Sequence, residues 1–272
     1  MTAESRMTAE SHIDTQWPRS VRPYDRSRTT MLERGVEVLQ AFRPMGGTLT
    51  LTALVERTGL PKATVHRLAE LLVNMRMLER AQTGYRLGLE LFELGELVPA
   101  KNKLREYALP FMQDLYEMTH ETIHLAIRDN LDVVYAEKIR GHAGVDVPTR
   151  VGGRLPLSST AVGKAMLAYC SPEVISEVTS RPLRRLTAHS IVDPAALKKQ
   201  LAGIRKSGLA YDEEEGALGV SCVASAVLVN GQPAAALSVS FATCRTATPA
   251  YAHAVRAVSL ALGRALTQAR SA

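Results

Sequence analysis

Three groups of side chains have the types and spacing that chemistry requires. The tightest is Lys62, Thr64, His66 and Arg67, polar residues opening a segment with an apolar stripe. Donors set this close at a helix start suit an anionic polymer, because they can reach phosphates and base edges together. The second is His120-Glu-Thr-Ile-His124, which matches H-E-x-x-H. On a helix that spacing turns two imidazoles toward one zinc ion. The third pairs Cys222 with Asp212 as parts of a nucleophilic site. A thiol needs a base within reach to act this way, and no histidine lies near Cys222 or Ser221 in the sequence.

The first group takes its setting from the pattern around it. Thr30 and Glu33 have capping-box spacing, and Leu32, Val36, Leu39 and Phe42 fall on one helical face, so a helix starts near Thr30. Pro44, Gly46 and Gly47 end it. A second, short helix from Leu51 to Thr58 buries Leu51, Leu54 and Val55. Gly59 stands where a tight turn needs a left-handed residue, and Pro61 opens a third helix. Val65, Leu68, Ala69 and Leu72 form the inner stripe of that helix. Lys62, Thr64 and Arg67 project on the other side, with His66 near the boundary. Leu78–Arg80, a Gln82-Thr83-Gly84 turn and Tyr85–Leu87 read as a hairpin, with Tyr85 and Leu87 inward and Arg86 free for a phosphate. Helix, tight turn, helix and hairpin is the winged helix-turn-helix layout, in which the second helix of the motif reaches base edges. The alternative is a plain three-helix bundle with a solvated basic face.

The second group sits in the wrong setting for zinc. From Thr122 the chain alternates, with Ile123, Leu125 and Ile127 against His124, Ala126 and Arg128. That is a strand, continuing past an Asn130 turn into Val133-Val134-Tyr135. His120 falls in the loop before it and no third ligand follows at metzincin spacing, so His124 reads as a sheet-face histidine and no metal is expected.

Between these groups, Leu89 to Ala100 places Leu91, Leu94 and Val98 opposite Glu90, Glu93 and Glu96. An acidic amphipathic helix is a poor phosphate binder and is assigned to linking and dimer contacts. Another helix runs from Leu104 to Met118, with Pro110 kinking or restarting it. Gly152 to Ala165 is a Gly-rich loop leading to Ser159 or Thr160 as N-cap, then a helix through Met166 and Leu167. The opening N–H groups of that helix, at Ala161 and Val162, suit a small carboxylate. Taken alone, the stretch reads as a capped surface helix.

Further on, a helix from Pro194 to Lys206 stops at Gly208 and a strand runs from Leu209 to Asp212. Val220–Val229 and Ala234–Phe241 form a hairpin across Asn230-Gly231. Leu237, Val239 and Phe241 share one face of the second strand, and Ser238 and Ser240 the other. Cys222, Ala224 and Ala226 give the first strand a similar small-residue face, which fits a ligand pocket or a solvated surface equally well. Pro249 to Arg270 closes the chain as a helix, with its stripe at Tyr251, Val255, Val258, Leu262 and Leu266.

Composition bounds the rest. The chain has 272 residues, a length for two domains, with 46% hydrophobic and 22% charged residues, which excludes a disordered or fibrous chain. It shows no apolar run of transmembrane length and no charged-then-apolar leader, so a cytoplasmic protein without membrane contact is expected. Cys170, Cys222 and Cys244 are too scattered for a disulfide framework. The net charge is +6, and residues 19–86 hold 12 Lys and Arg against 6 Asp and Glu. Met1–Ser5 is repeated imperfectly at Met7–Ser11, expected as an ambiguous start or a disordered tail.

Leu51-Thr-Ala-Leu-Val-Glu-Arg-Thr-Gly-Leu-Pro-Lys-Ala-Thr-Val-His-Arg-Leu68 with Gly84-Tyr85-Arg86-Leu87-Gly88 resembles the DNA-binding domain of the IclR family of bacterial transcriptional regulators. Gly153-Arg-Leu-Pro156, Ala161-Val-Gly-Lys-Ala165, Tyr211-Asp-Glu-Glu-Glu215, Gly219-Val-Ser-Cys222 and Ala236-Leu-Ser-Val-Ser240 are similar to that family's effector domain. The resemblance spans about Thr30 to Arg270. It implies an α+β protein: a tail at 1–27, a winged helix-turn-helix at 28–88, a linker helix at 89–103 and a GAF-like effector domain with an antiparallel sheet at 104–272. By that resemblance Lys62, Thr64, His66, Arg67, Gln82, Thr83 and Arg86 would meet double-stranded operator DNA. The backbone N–H groups of Ala161 and Val162, with Asp212, Cys222, Ser238 and Ser240, would hold a small organic acid, aromatic or keto in class. The chain departs from the pattern at Ala63, where relatives often carry a hydroxyl, and at Ala161-Val162, where they have Gly-Ala.

The implied protein is not an enzyme and uses no cofactor. It would be a homodimeric regulator, a repressor by keyword, of a catabolic operon, in a family that often pairs dimers into tetramers. A hydrolase using the HETIH or Cys222 region, and a sensor acting through protein contacts, stand as alternatives.

Overall fold

The computed structural model describes residues 30–43, 46–142, 147–244 and 249–271, leaving aside the side chains of 99–103 and 270–271. The tail expected at 1–27, its duplication and Pro44 lie outside the described residues. The chain divides into two compact units, Met1–Leu97 and Val98–Ala272.

In the first unit, α1 (Met31–Gln40) opens on the capping box: Thr30 N–H donates to Glu33 Oε2 at 2.7 Å and Glu33 N–H to Thr30 Oγ1 at 3.3 Å. The second helix, α2 (Leu51–Thr58), is capped by Thr50 and ends on Gly59 at φ 67°, a left-handed turn that glycine adopts without steric cost. It leads directly to α3 (Lys62–Asn74), followed by the antiparallel strands β1 (Leu78–Ala81) and β2 (Gly84–Leu87). Leu49 adds a bridge on the far side of β2, exchanging both backbone hydrogen bonds with Tyr85 at 2.8 and 2.9 Å. Val65, Leu68, Ala69 and Leu72 are buried as the stripe on α3 predicts, against Val38, Phe42, Leu54, Leu78 and Tyr85.

Four expectations in this unit need correction. On α1, Leu32 is 77% exposed and Val36 is also exposed. Val38 and Ala41 join Phe42 in the core, because contact with α3 selects a neighbouring face of a helix whose apolar residues allow two. On α2, Leu51 and Val55 are only half-buried. Leu87 is 43% exposed, since the Leu49 bridge stops at Tyr85 and the end of β2 is an open edge. The acidic helix α4 spans only Glu90–Glu96 and buries no residue, with Gly95 weakening its last turn.

The second unit begins with α5 (Pro99–Thr119), which runs on through the exposed Pro110. The expected division at 103/104 therefore falls inside this helix. Next come β3 (Thr122–Asp129), β4 (Asp132–Ile139), β5 (Arg154–Pro156), α6 (Ala161–Leu167), α7 (Pro172–Thr179), α8 (Pro194–Ser207), β6 (Ala210–Glu213), β7 (Val220–Val229), β8 (Gln232–Ala242) and α9 (Pro249–Ser271). The sheet order is β5-β4-β3-β8-β7-β6 with every neighbour antiparallel. The β5 segment, read from the sequence as loop, pairs with β4 through Leu155 opposite Val133. The β7–β8 hairpin turns on Asn230 and Gly231, both at positive φ.

Side-chain alternation gives the sheet two unlike faces. Ile123, Leu125, Val223, Leu237, Val239 and Phe241 pack under α5 and α9. Ala126, Ala210, Ala224, Ala226 and Ala236 lie under α6 and α8. That small-residue face is buried, so the solvated reading fails.

The surface-helix reading of α6 fails too, since all seven of its residues are buried. The close approach depends on Gly163, where a Cβ would meet Leu157 O at 2.3 Å.

Candidate nucleic-acid interface and ligand site

Lys62, His66 and Arg67 are exposed at the start of α3, and Thr64 is half-buried. None of the three exposed residues forms an ion pair or side-chain hydrogen bond among the described residues. Pro61 precedes them without a side-chain cap, so the first N–H groups of α3 point outward at the positive end of the helix dipole. Free cations beside free N–H groups form an anion-binding surface.

The hairpin is docked against the same helix. Arg80 and Tyr85 both reach Glu70 of α3, at 2.5 and 3.0 Å. Burial, then the Glu70 bond, pushes the Tyr85 phenol up from its ordinary value. Glu70 thus fixes the hairpin to α3, a role the sequence does not announce. Gln82 and Thr83 form the exposed tip. Arg86 is not free as expected: its guanidinium meets Glu79 on the opposite strand at 2.7–2.8 Å and holds that carboxyl below its usual range. Both partners are exposed, so a phosphate could displace Glu79 at little cost.

The second site is assembled by strand register. Thr122 of β3 stands opposite Ser240 of β8, Ser240 opposite Cys222 of β7, and Cys222 opposite Asp212 of β6. Directly opposed residues share a face, so residues far apart in sequence form one row. Cys222 Sγ donates to Ser240 Oγ at 3.1 Å, and Ser240 Oγ meets His124 Nδ1 at 3.2 Å. The other nitrogen, His124 Nε2, meets Thr149 Oγ1 at 2.7 Å. Burial, aided by the Lys138 ammonium, lowers the His124 pKa to about 3. Burial and the nearby Asp212 carboxyl push the Cys222 thiol well up.

Above the row lies the start of α6. Thr160 caps it, accepting from Gly163 N–H at 3.1 Å. Among the described residues, Ala161 and Val162 N–H donate no hydrogen bond, and Ser238 Oγ takes part in none. Asp212 Oδ1 accepts from Glu215 N–H at 2.7 Å and Gly216 N–H at 3.3 Å, leaving Oδ2 without a donor. Burial, with the Glu215 carboxyl beside it, raises the Asp212 pKa to about 7.

Lys164 of α6 is 0% exposed and binds Gln200 Oε1 at 2.9 Å and the Glu215 carboxylate. Burial raises the Glu215 pKa despite that ion pair. This buried pair was missed from sequence, although Lys164 directly follows Gly163 in the α6 motif. Its only sequence signal is a lysine within an otherwise apolar run.

His120 is an exposed left-handed cap while His124 is buried on β3, so the two imidazoles of the HETIH run do not share a helix face. No cluster of metal-ligating side chains occurs among the described residues. Space does supply the histidine that sequence proximity lacked, since Cys222 reaches His124 through Ser240. A base with pKa about 3 and a thiol raised by burial form a poor nucleophilic pair at neutral pH.

Comparison with known proteins bears on both sites. Residues 31–82 match the IclR helix-turn-helix domain, and residues 98–264 match the C-terminal domain of bacterial IclR transcriptional regulators. The HTH-type transcriptional regulator XynR of Escherichia coli is 33% identical, over 86% of this chain and 96% of its own. The transcriptional repressor IclR of the same organism is 30% identical, over 77% and 78% respectively. Among solved structures, an IclR homolog from Microbacterium hydrocarbonoxydans complexed with 4-hydroxybenzoate aligns with TM-score 0.80 at 30% identity, covering 89% of this chain and 100% of that one. The Thermotoga maritima IclR aligns with TM-score 0.71 at 26% identity, over 87% and 98%.

Proposed function

This chain belongs to the IclR family of bacterial transcriptional regulators, whose members pair a helix-turn-helix with an effector-binding domain, and from that premise we propose how its own residues divide the work. The first unit binds double-stranded operator DNA. Lys62 and Thr64 read base edges from the start of α3, with His66 beside them, and Arg67 holds a phosphate. Gln82 and Thr83 at the hairpin tip meet the backbone, and Arg86 joins them by exchanging Glu79 for a phosphate. A homodimer presents two such helices to half-sites of a pseudo-palindrome, in the cytoplasm where operator DNA lies. The observation that carries this reading is the pair of exposed cations, Lys62 and Arg67, without partners among the described residues, beside the uncapped start of α3.

The second unit binds a small organic acid between Ala161-Val162 and the row Asp212, Cys222, Ser238 and Ser240. Binding shifts the populations of dimer arrangements that differ in operator affinity, so the acid controls a catabolic operon. A protonated Asp212 tolerates a carboxylate that an ionised one would repel, which makes binding tighter below about pH 7.

Fluorescence anisotropy with DNA from upstream of the gene tests the reading, at two salt concentrations and against an unrelated duplex. Selective binding that weakens steeply with salt supports it. No binding to any duplex at low salt overturns it.

A further inference from the structure

Glu70 stands where a DNA-binding surface should exclude a carboxylate. Ala63, His66, Arg67 and Glu70 follow the i, i+3, i+4, i+7 spacing that puts side chains on one helical face. On the reading above, His66 and Arg67 of that face meet DNA. A lone carboxylate one turn further along would repel the phosphates, so charge alone favours its loss.

The carboxylate is taken up by the hairpin instead. Its Oε2 accepts from Arg80 Nη2 at 2.5 Å, and its Oε1 accepts from the Tyr85 hydroxyl at 3.0 Å. Arg80 of β1 and Tyr85 of β2 are direct partners across the hairpin, so both strands are gripped at the same level. The next pair, Ala81 and Gly84, closes on the tip residues Gln82 and Thr83. A second contact ties the hairpin to the segment leading into α2, since a Cβ at Gly84 would meet Leu49 O at 2.2 Å. The Arg80 side chain is 64% exposed, and an ion pair that open to water adds little stability, so its contribution is geometric.

We propose that Glu70 is a positioning residue for DNA recognition. By holding Arg80 and Tyr85 it sets the hairpin tip at a fixed offset from the start of α3, so that Gln82 and Thr83 reach the DNA backbone while Lys62 reads bases. The inference rests on the DNA-binding reading above and extends it to a residue that touches no DNA. The expected effect has the opposite sign to that of charge: removing a negative group from this face weakens binding to a polyanion.

Fluorescence anisotropy with the full chain and DNA from upstream of the gene, beside an unrelated duplex, provides the test. Glu70→Ala should bind the upstream duplex about 3- to 10-fold more weakly, the worth of a hydrogen bond or so at the tip. Replacing both tip residues, Gln82→Ala with Thr83→Ala, should cost the wild-type protein a similar factor and cost Glu70→Ala almost nothing further. Tyr85→Phe deletes one donor to Glu70 and leaves the ring in the core. It should weaken binding in the same direction, and it carries the test should Glu70→Ala not fold.

Unchanged or tighter binding by folded Glu70→Ala, or by Tyr85→Phe in its place, overturns the proposal. So do tip substitutions that cost the same in both backgrounds, or nothing in the wild-type protein. In those cases the DNA reading stands and only the role of Glu70 is lost. Should the wild-type protein bind no duplex selectively, the DNA reading itself fails and the proposal falls with it.

Discussion

The two units solve opposite electrostatic problems. In the first, Lys62 and Arg67 stand in water without partners among the described residues, at a helix start without a side-chain cap. In the second, the charged and polar groups are buried and almost silenced: Lys164 by Glu215, His124 by desolvation, Asp212 by partial protonation at neutral pH. An exposed cation keeps its full charge for a polyanion that brings many phosphates at once. A buried site must discriminate one small molecule, and neutral groups with defined directions do that at lower desolvation cost. Charge that remains available serves affinity, and charge that has been cancelled serves selectivity.

This contrast can be broken most forcefully at Lys164. Lys164→Met leaves the Glu215 carboxylate buried without its cation beside Asp212, a loss on the order of 3–5 kcal/mol. Calorimetric melting should show that loss in the second unit's transition, with the first unit's unchanged. A shift confined to the first unit would refute the division.

Asp212 comes next, because its raised pKa links stability to pH. The folded protein keeps a proton on Asp212 that the unfolded chain has lost, so this contribution is full below about pH 4 and fades as pH rises through about 7. Asp212→Asn should flatten that part of the stability profile, by roughly 1–4 kcal/mol between those limits. Denaturant titrations across the range check it, and an unchanged slope would count against a buried, protonated Asp212.

Lys62→Ala should cost about 1–3 kcal/mol of operator affinity and relax base preference, whereas Arg67→Ala should weaken all sequences alike and lower the salt dependence. Competition titrations with mutated duplexes separate the two effects. The smallest change is expected at the hairpin, where Glu79→Gln releases Arg86. DNA affinity should then rise by a few-fold at most, and a fall would mean that the pair positions the hairpin tip instead.

These differences also explain what the sequence could announce. The geometry around Lys62 and Arg67 was legible almost residue by residue, because Gly59, Pro61 and the buried stripe of α3 lie within one turn-helix segment. Arg86 was misread, since nothing local shows that Glu79 faces it across the hairpin. Leu32 and Val36 were placed inside because a helix with apolar residues on two adjacent faces does not declare which one its partner covers. In the second unit the strands around Asn230-Gly231 and the N-cap Thr160 were legible, being local features. The burial of α6 was not, because it depends on Gly163 meeting Leu157 and on a sheet whose strands come from both ends of the unit. The bond between His124 and Ser240 was out of reach for the same reason: only the register of β3 and β8 brings the two together.

The central claim is that DNA binding and acid binding belong to separate sites in separate units. It is tested most directly by titrating operator DNA and an effector acid against the folded Lys62→Ala and Asp212→Asn variants and the wild-type protein. Lys62→Ala should lose operator affinity and keep acid affinity, while Asp212→Asn should keep acid-free operator affinity and change only its response to the acid. Loss of both activities from either single substitution, in a protein that melts as a folded chain, would contradict the account.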